Sequence, residues 1–269
     1  MKQDDRDIIE TVMGPRSELQ DDAIIVKNLQ VAFGAKEILK DVSFTVRRGE
    51  VLVLMGLSGT GKSTTLRAIA GLLRPSGGEV LVDGRSIPNL TSSELKVLRR
   101  RIGFCFQHGA LFDSMTVGEN VAFGLREHTQ LPEEEIQQLV ADKLAIVDLE
   151  GMSHMYPSQL SGGMQKRASF ARTIATDPDI VLYDEPTTGL DPIISRVINE
   201  LILDLGRRLN ATSVVITHDL KGAYLIANKI IMLHEGLPVF FGTPKEFQET
   251  TDPHVVQFRE GEMEGPIRV

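Results

Sequence analysis

Gly56-Leu57-Ser58-Gly59-Thr60-Gly61-Lys62-Ser63-Thr64 is the most informative run of this chain. The apolar Val51-Leu52-Val53-Leu54-Met55 precedes it, and the helix-patterned Leu66-Arg67-Ala68-Ile69-Ala70 follows. Strand, glycine loop and helix in that order read as a phosphate cradle, because glycines let successive backbone N–H groups curl around an anion while the next helix points its positive end at it. In the pattern G-x-x-x-x-G-K-[ST], carried by Gly56, Gly61, Lys62 and Ser63, the lysine reaches the β- and γ-phosphates and the hydroxyl ligates Mg²⁺. Four fixed positions match by chance in a chain of this length about 1% of the time. The flanking strand and helix make a packing accident rarer still.

The chain has 269 residues, 42% of them hydrophobic, enough to bury a full core as one large domain or a domain with a subdomain. Its net charge of −8 argues against a surface built for nucleic acid or anionic lipid. A single cysteine, Cys105, excludes an intramolecular disulfide and a Cys-rich metal site and suits a reducing compartment. Its neighbours Ile102, Phe104 and Phe106 favour a buried, inert thiol over a reactive one. No apolar run approaches the ~18 residues needed to cross a bilayer. The acidic start, with Asp4, Asp5, Asp7 and Glu10, lacks the order of a secretion signal, so a cytoplasmic chain is expected.

Residues 1–22 are polar, acidic and broken at Gly14-Pro15, which suggests a mobile arm. From Ala23 to Val46 apolar and polar residues alternate, fitting antiparallel strands with turns near Gly34-Ala35 and Arg48-Gly49. Within them Phe33 reads either as core or as an aromatic plate for a base, and the pattern alone favours core. Glu79–Asp83 reads as an arm of a further strand pair, and residues 92–101 as a helix. The closing Arg99-Arg100-Arg101 reads as a solvated face or helix C-terminus. Ile102–Phe106 is a short strand ending in Gln107, whose amide could there reach a metal or water. From Thr116 to Ala175 the texture is helical, opened by a capping box at Thr116–Glu119 and by Pro132 before three glutamates. A helical subdomain, about residues 108–175, is therefore expected between two halves of a nucleotide-binding core.

At its end stands Leu160-Ser161-Gly162-Gly163-Met164-Gln165, a second glycine-rich helix start suited to an anion or simply to a cap. Two phosphate-type cradles about 100 residues apart are explained by a head-to-tail pair of chains. Ile180–Asp184 with Glu185 is a continuous apolar run ending in acids, as in a buried parallel strand whose C-terminal end carries the ligand. Asp184 is placed to hold Mg²⁺, through water, and Glu185 to take a proton from attacking water. Thr187–Pro192 turns into a helix over 193–209, and Val214–Thr217 is a further strand. It ends at His218, which could bond a γ-phosphate or be structural.

Phe33, the glycine loop, Gln107, LSGGM, VLYDEP, Gly189-Leu190-Asp191 and His218 stand in the order and spacing of an ABC-transporter ATPase subunit, and the chain resembles that family over about residues 23–245. The resemblance implies an α/β P-loop NTPase of the ABC type, with a mixed, partly parallel sheet core, an antiparallel β subdomain and an inserted helical subdomain. It implies Mg²⁺-dependent ATP hydrolysis in a homodimer. Phe33 would stack on the base, and Gly56, Ser58, Gly59, Thr60, Gly61, Lys62, Ser63 and Thr64 would hold the phosphates. Ser161, Gly162 and Gly163 of the second chain would close the site. Asp191 would lie at the dimer seam, Ser63, Gln107 and Asp184 would serve Mg²⁺, Glu185 and His218 would act in hydrolysis, and Gln107 would couple it to a membrane partner. Two departures, Met164 in place of the usual Gln and Phe33 where Tyr is common, remove no phosphate ligand or catalytic group.

Leu125–Pro132 and Pro253–Phe258 further resemble the Mla-type phospholipid-transport ATPases of Gram-negative bacteria. That resemblance implies permease subunits, a small STAS-domain protein and a periplasmic MCE lipid-binding component, with the ATPase held at the cytoplasmic face of the inner membrane through the permease. The tail over 246–269 is expected to contact a neighbour. A small-solute importer is the rival within transporters. A soluble ABC ATPase of DNA repair or translation is disfavoured by the single ATPase unit, the absence of heptads and the acidic charge. A module that binds ATP only to dimerise is disfavoured by Asp184, Glu185 and His218.

Overall fold

The computed structural model describes residues 21–107 and 109–268. The first twenty positions of the expected N-terminal arm lie outside the described residues, and its last position, Asp22, is the first residue of a strand. In chain order the elements are β1 (Asp22–Phe33), β2 (Lys36–Arg47), β3 (Val51–Met55), α1 (Lys62–Ile69), β4 (Gly77–Val82), β5 (Arg85–Ser86), α2 (Ser92–Arg99), β6 (Ile102–Cys105), α3 (Val117–His128), α4 (Glu133–Ile146), α5 (Gly162–Thr173), β7 (Ile180–Asp184), α6 (Pro192–Leu209), β8 (Thr212–Ile216), α7 (Leu220–Ile226), β9 (Lys229–His234), β10 (Leu237–Gly242), α8 (Pro244–Glu249) and α9 (Pro253–Glu260). The described residues form two compact units, one of 21–91 with 212–268 and the other of 92–211.

The first unit carries two sheets. In one, β2, β1, β4 and β5 lie side by side, with β1 antiparallel to both β2 and β4. Its alternation puts Ile24, Val26, Leu29, Val31, Val42, Phe44 and Val46 in the core, as expected of a sheet with one covered face. The other sheet places β3 between β8 and β9, parallel to both, and β10 closes its edge antiparallel to β9. Every residue of β3 and β8 is buried, which is why both read as unbroken apolar runs. The final helices fold back onto this unit, with Phe247 of α8 fully buried against Tyr224 and Phe240.

The second unit pairs β6 in parallel with β7, in register from Ile102↔Ile180 to Cys105↔Tyr183. Helices α3, α4 and α5 pack on one another, and α5 also packs on β6. The capping box forms as read: Thr116 Oγ1 accepts from Glu119 N at 3.2 Å and Glu119 Oε2 accepts from Thr116 N at 2.7 Å. The arginine run closes α2 at Arg99, as the helix-C-terminus reading has it, but Arg101 is not part of a solvated face. Arg101 is 6% exposed and pairs with the Asp179 carboxylate, while its carbonyl accepts from Asp179 N and Ile180 N at 2.9 and 3.1 Å. The last arginine is thus an anchor for the start of β7, not part of a solvated face. Among the described residues no helix is long and apolar enough to cross a membrane.

Candidate functional site

In the first unit the buried β3 delivers the chain to Gly56, where the backbone turns with φ 134°. A Cβ there would lie 2.2 Å from the Leu233 carbonyl oxygen, and one at Gly61, φ 100°, would lie 2.3 Å from Leu39 Cδ2. Only glycine fits either position, so the loop is pressed against β9 at Gly56 and against β2 at Gly61. Thr60 Oγ1 donates to Leu57 O at 2.9 Å, and Thr65 Oγ1 to Gly61 O at 3.0 Å. Lys62 Nζ donates to the Gly56 and Leu57 carbonyls, both at 2.8 Å, which curls the lysine over its own loop. Ser58 and Gly59 are exposed, and Ser63 and Thr64 half-buried, at the start of α1. That helix has neither a side-chain cap nor an acid in its first turn, so nothing of its own competes there with a bound anion.

Phe33 is 56% exposed at the tip of the β1–β2 hairpin, opposite Lys36. The core role that alternation favoured is therefore overturned: the last residue of a strand leaves the sheet face on which its predecessors pack. His218 is exposed just beyond β8.

The second unit gathers the acids. Asp184 is buried at the end of β7, and Glu185 follows in the left-handed region at φ 49°. Glu185 Oε2 accepts from Gln107 Nε2 and from Thr188 Oγ1, each at 2.9 Å. Gln107 and Glu185, far apart in the chain, thus meet through parallel β6 and β7. Ser161 caps α5, its hydroxyl accepting from Met164 N at 3.3 Å, and Ser161 and Gly162 are exposed. A Cβ on Gly163 would lie 3.0 Å from Ile194 Cγ2, so this glycine also serves packing of α5 on α6. Asp191 caps α6, its Oδ1 accepting from Ile193 N and Ile194 N at 2.9 and 3.0 Å, and leaves Ile193 76% exposed.

Four residues that the sequence did not single out hold the loop after β6. Lys166, Ser169 and Arg172, on one face of α5, donate to the carbonyls of Gln107, Gly109 and Ala110. Burial pushes the Lys166 ammonium below the ordinary lysine range. Asn120, fully buried on α3, accepts from Phe112 N at 2.7 Å and donates to the Phe112, Met115 and Thr116 carbonyls. The only advance signal was the i, i+3, i+6 polar spacing on α5, which resembles any solvated helix face. Chemically, the two units offer a backbone cradle with a lysine and a carboxylate gripped by two donors.

The family model for ABC transporters matches residues 39–188. The chain belongs to the ABC transporter family. This ABC cassette is 44% identical over 245 residues to the intermembrane phospholipid transport system ATP-binding protein MlaF of Haemophilus influenzae, covering 91% of this chain and 93% of that protein. It is also 44% identical over 246 residues to the probable ribonucleotide transport ATP-binding protein mkl of Mycobacterium bovis, covering 91% of this chain and 68% of that one. Among solved structures, a dimeric ATP-binding cassette, MJ0796, in a post-hydrolysis state with ADP and Pi superposes with a TM-score of 0.75 at 34% identity, covering 82% of this chain and 98% of that one. The α/β P-loop ATPase architecture expected of the cassette is the one these comparisons support.

Proposed function

We propose that this chain is the ATP-hydrolysing subunit of an ABC transporter that moves phospholipid between the inner and outer membranes and so maintains outer-membrane lipid asymmetry. The observation that carries the cargo is the 44% identity to the H. influenzae phospholipid-transport subunit along 93% of that protein. The mycobacterial relative, equally identical but matched over 68% of its length, favours a second reading, a small-solute transporter.

The donors fit ATP and Mg²⁺. A cradle whose Gly56 and Gly61 exclude any Cβ leaves backbone N–H groups for phosphate oxygens. The Ser63 hydroxyl, Gln107 amide and Asp184 carboxylate are hard oxygen donors of the kind Mg²⁺ takes. Bound there, Mg²⁺ would neutralise charge on the phosphate oxygens. Phe33 stacks on the base, and Ser58, Gly59, Thr60 and Thr64 border the phosphates. Lys62 exchanges its two loop carbonyls for β- and γ-phosphate oxygens, trading neutral acceptors for charged ones. Glu185 orients the attacking water and takes its proton at a carboxylate oxygen, while His218 donates to the γ-phosphoryl group. Ser161, Gly162 and Gly163 of a second copy close over the nucleotide, with Asp191 at the seam. Gln107, fastened to α5 through its carbonyl and to Glu185 through its amide, carries the state of the site to a permease.

On this reading the chain is a peripheral subunit at the cytoplasmic face of the inner membrane, held there by the permease. A STAS-domain protein and an MCE-type lipid-binding protein complete the assembly, with no nucleic-acid partner. The cassette spans about 23–245, and the tail over 246–269 contacts a neighbour. The test is affinity purification of the tagged chain from detergent-solubilised native membranes, with mass spectrometry of partners and extracted lipid. Recovery of a permease with MCE and STAS partners and phospholipid is expected. A permease accompanied by a small-solute binding protein would replace the cargo, and no membrane partner would overturn the transporter reading.

A further inference from the structure

Glu185 is held against its local preference. It precedes Pro186, which disfavours helical backbone and pushes the preceding residue toward extended conformations, yet it lies at φ 49°. Non-glycine residues in that region persist only where their surroundings over-determine them, and they concentrate at functional sites. The restraint is visible. The turn after Glu185 closes through Thr188 N donating to Glu185 O at 3.3 Å, and the same residue's hydroxyl donates back to Glu185 Oε2 at 2.9 Å. Backbone and side chain of Thr188 thus grip backbone and side chain of Glu185. The Gln107 amide reaches the same oxygen, but from the separate loop after β6 that is proposed to signal to the permease. Thr188 is three residues away on the same turn, so its hold on Glu185 depends on no other segment of the chain.

We propose that Thr188 is a positioning residue for hydrolysis, its hydroxyl fixing the Glu185 carboxylate in the orientation that takes the proton of the attacking water. The inference rests on the reading of Glu185 as the base. It is tested on the full chain purified with its membrane partners, comparing Thr188→Val, which keeps shape and removes the donor, Thr188→Ser, which keeps the donor, and Glu185→Gln. Loss of one hydrogen bond to a carboxylate should lower kcat about three- to tenfold in Thr188→Val with nucleotide affinity unchanged, and Thr188→Ser should stay within about twofold of wild type. Wild-type turnover in Thr188→Val beside a slow Glu185→Gln would overturn the positioning role alone. Equal loss in both Thr188 variants would assign the effect to packing instead and overturn it likewise. Near-normal turnover in Glu185→Gln would overturn the base and this inference with it.

Discussion

Cys105 shows how one residue's surroundings set its chemistry. Its Sγ lies 3.6 Å from Ser169 Oγ in full burial, and that burial pushes the thiol up from 9.0 to about 11. The sign follows from the thiolate being the disfavoured form. The folded thiol stays neutral where an unfolded one ionises, so its contribution to stability is complete below about pH 9 and is lost as pH rises toward about 11. Urea unfolding across that window should show wild type losing stability more steeply than Cys105→Ala, and iodoacetamide at about pH 8 should modify only the denatured chain. Parallel curves for the two proteins would contradict the assignment. Cys105 was legible in the sequence because it lies within the short apolar run Ile102–Phe106, although strict alternation would have buried Ile102, Phe104 and Phe106 instead, and these are less buried than Cys105. Phe33 was not, because alternation cannot tell the last paired residue of a hairpin, which can swing clear, from one in mid-strand. The family resemblance implied an exposed position where the pattern did not, and the base-stacking role remains the one proposed for it.

Elements were legible where their signals are local and hidden where their partners are distant. The buried runs of β3, β7 and β8 and the cap at Thr116 lie within a few residues of what they control. By contrast Lys166, Ser169 and Arg172 donate to carbonyls 59, 60 and 62 residues away, and composition holds no trace of that. The same holds for Arg101, whose partner Asp179 is 78 residues on. With side chains only 7% and 11% exposed, this pair lies in the regime where deleting one partner leaves a buried charge, at a cost of about 3–5 kcal/mol. Asp179→Asn should therefore lower unfolding free energy by about that amount in urea titrations. Asp204→Asn, which breaks the largely exposed pair with Arg208, should change it by under about 1 kcal/mol. Similar effects at the two sites would remove the anchoring role given to Arg101.

At the scale of the whole molecule, one chain carries one glycine loop and one Ser161–Gly163 helix start, and the proposed site needs one of each from different copies. A two-fold pair makes two such sites by symmetry, and a solved relative is dimeric with ADP and Pi. The arrangement predicts complementation. Lys62→Ala disables the loop and keeps the helix start, whereas Ser161→Glu sets a negative charge where phosphate would lie and keeps the loop. Either variant alone has both sites of its dimer broken. In an equal mixture about half of the dimers pair one variant with the other, and each of these regains one intact site of two, so about a quarter of wild-type ATP turnover should return if the two sites work independently. If each chain instead built its site from its own loop and its own helix start, mixing would restore nothing, since every chain would still carry a broken half. Turnover of the mixture against the two separate variants, at constant total protein, therefore discriminates a shared site from a private one without any structure of the assembly.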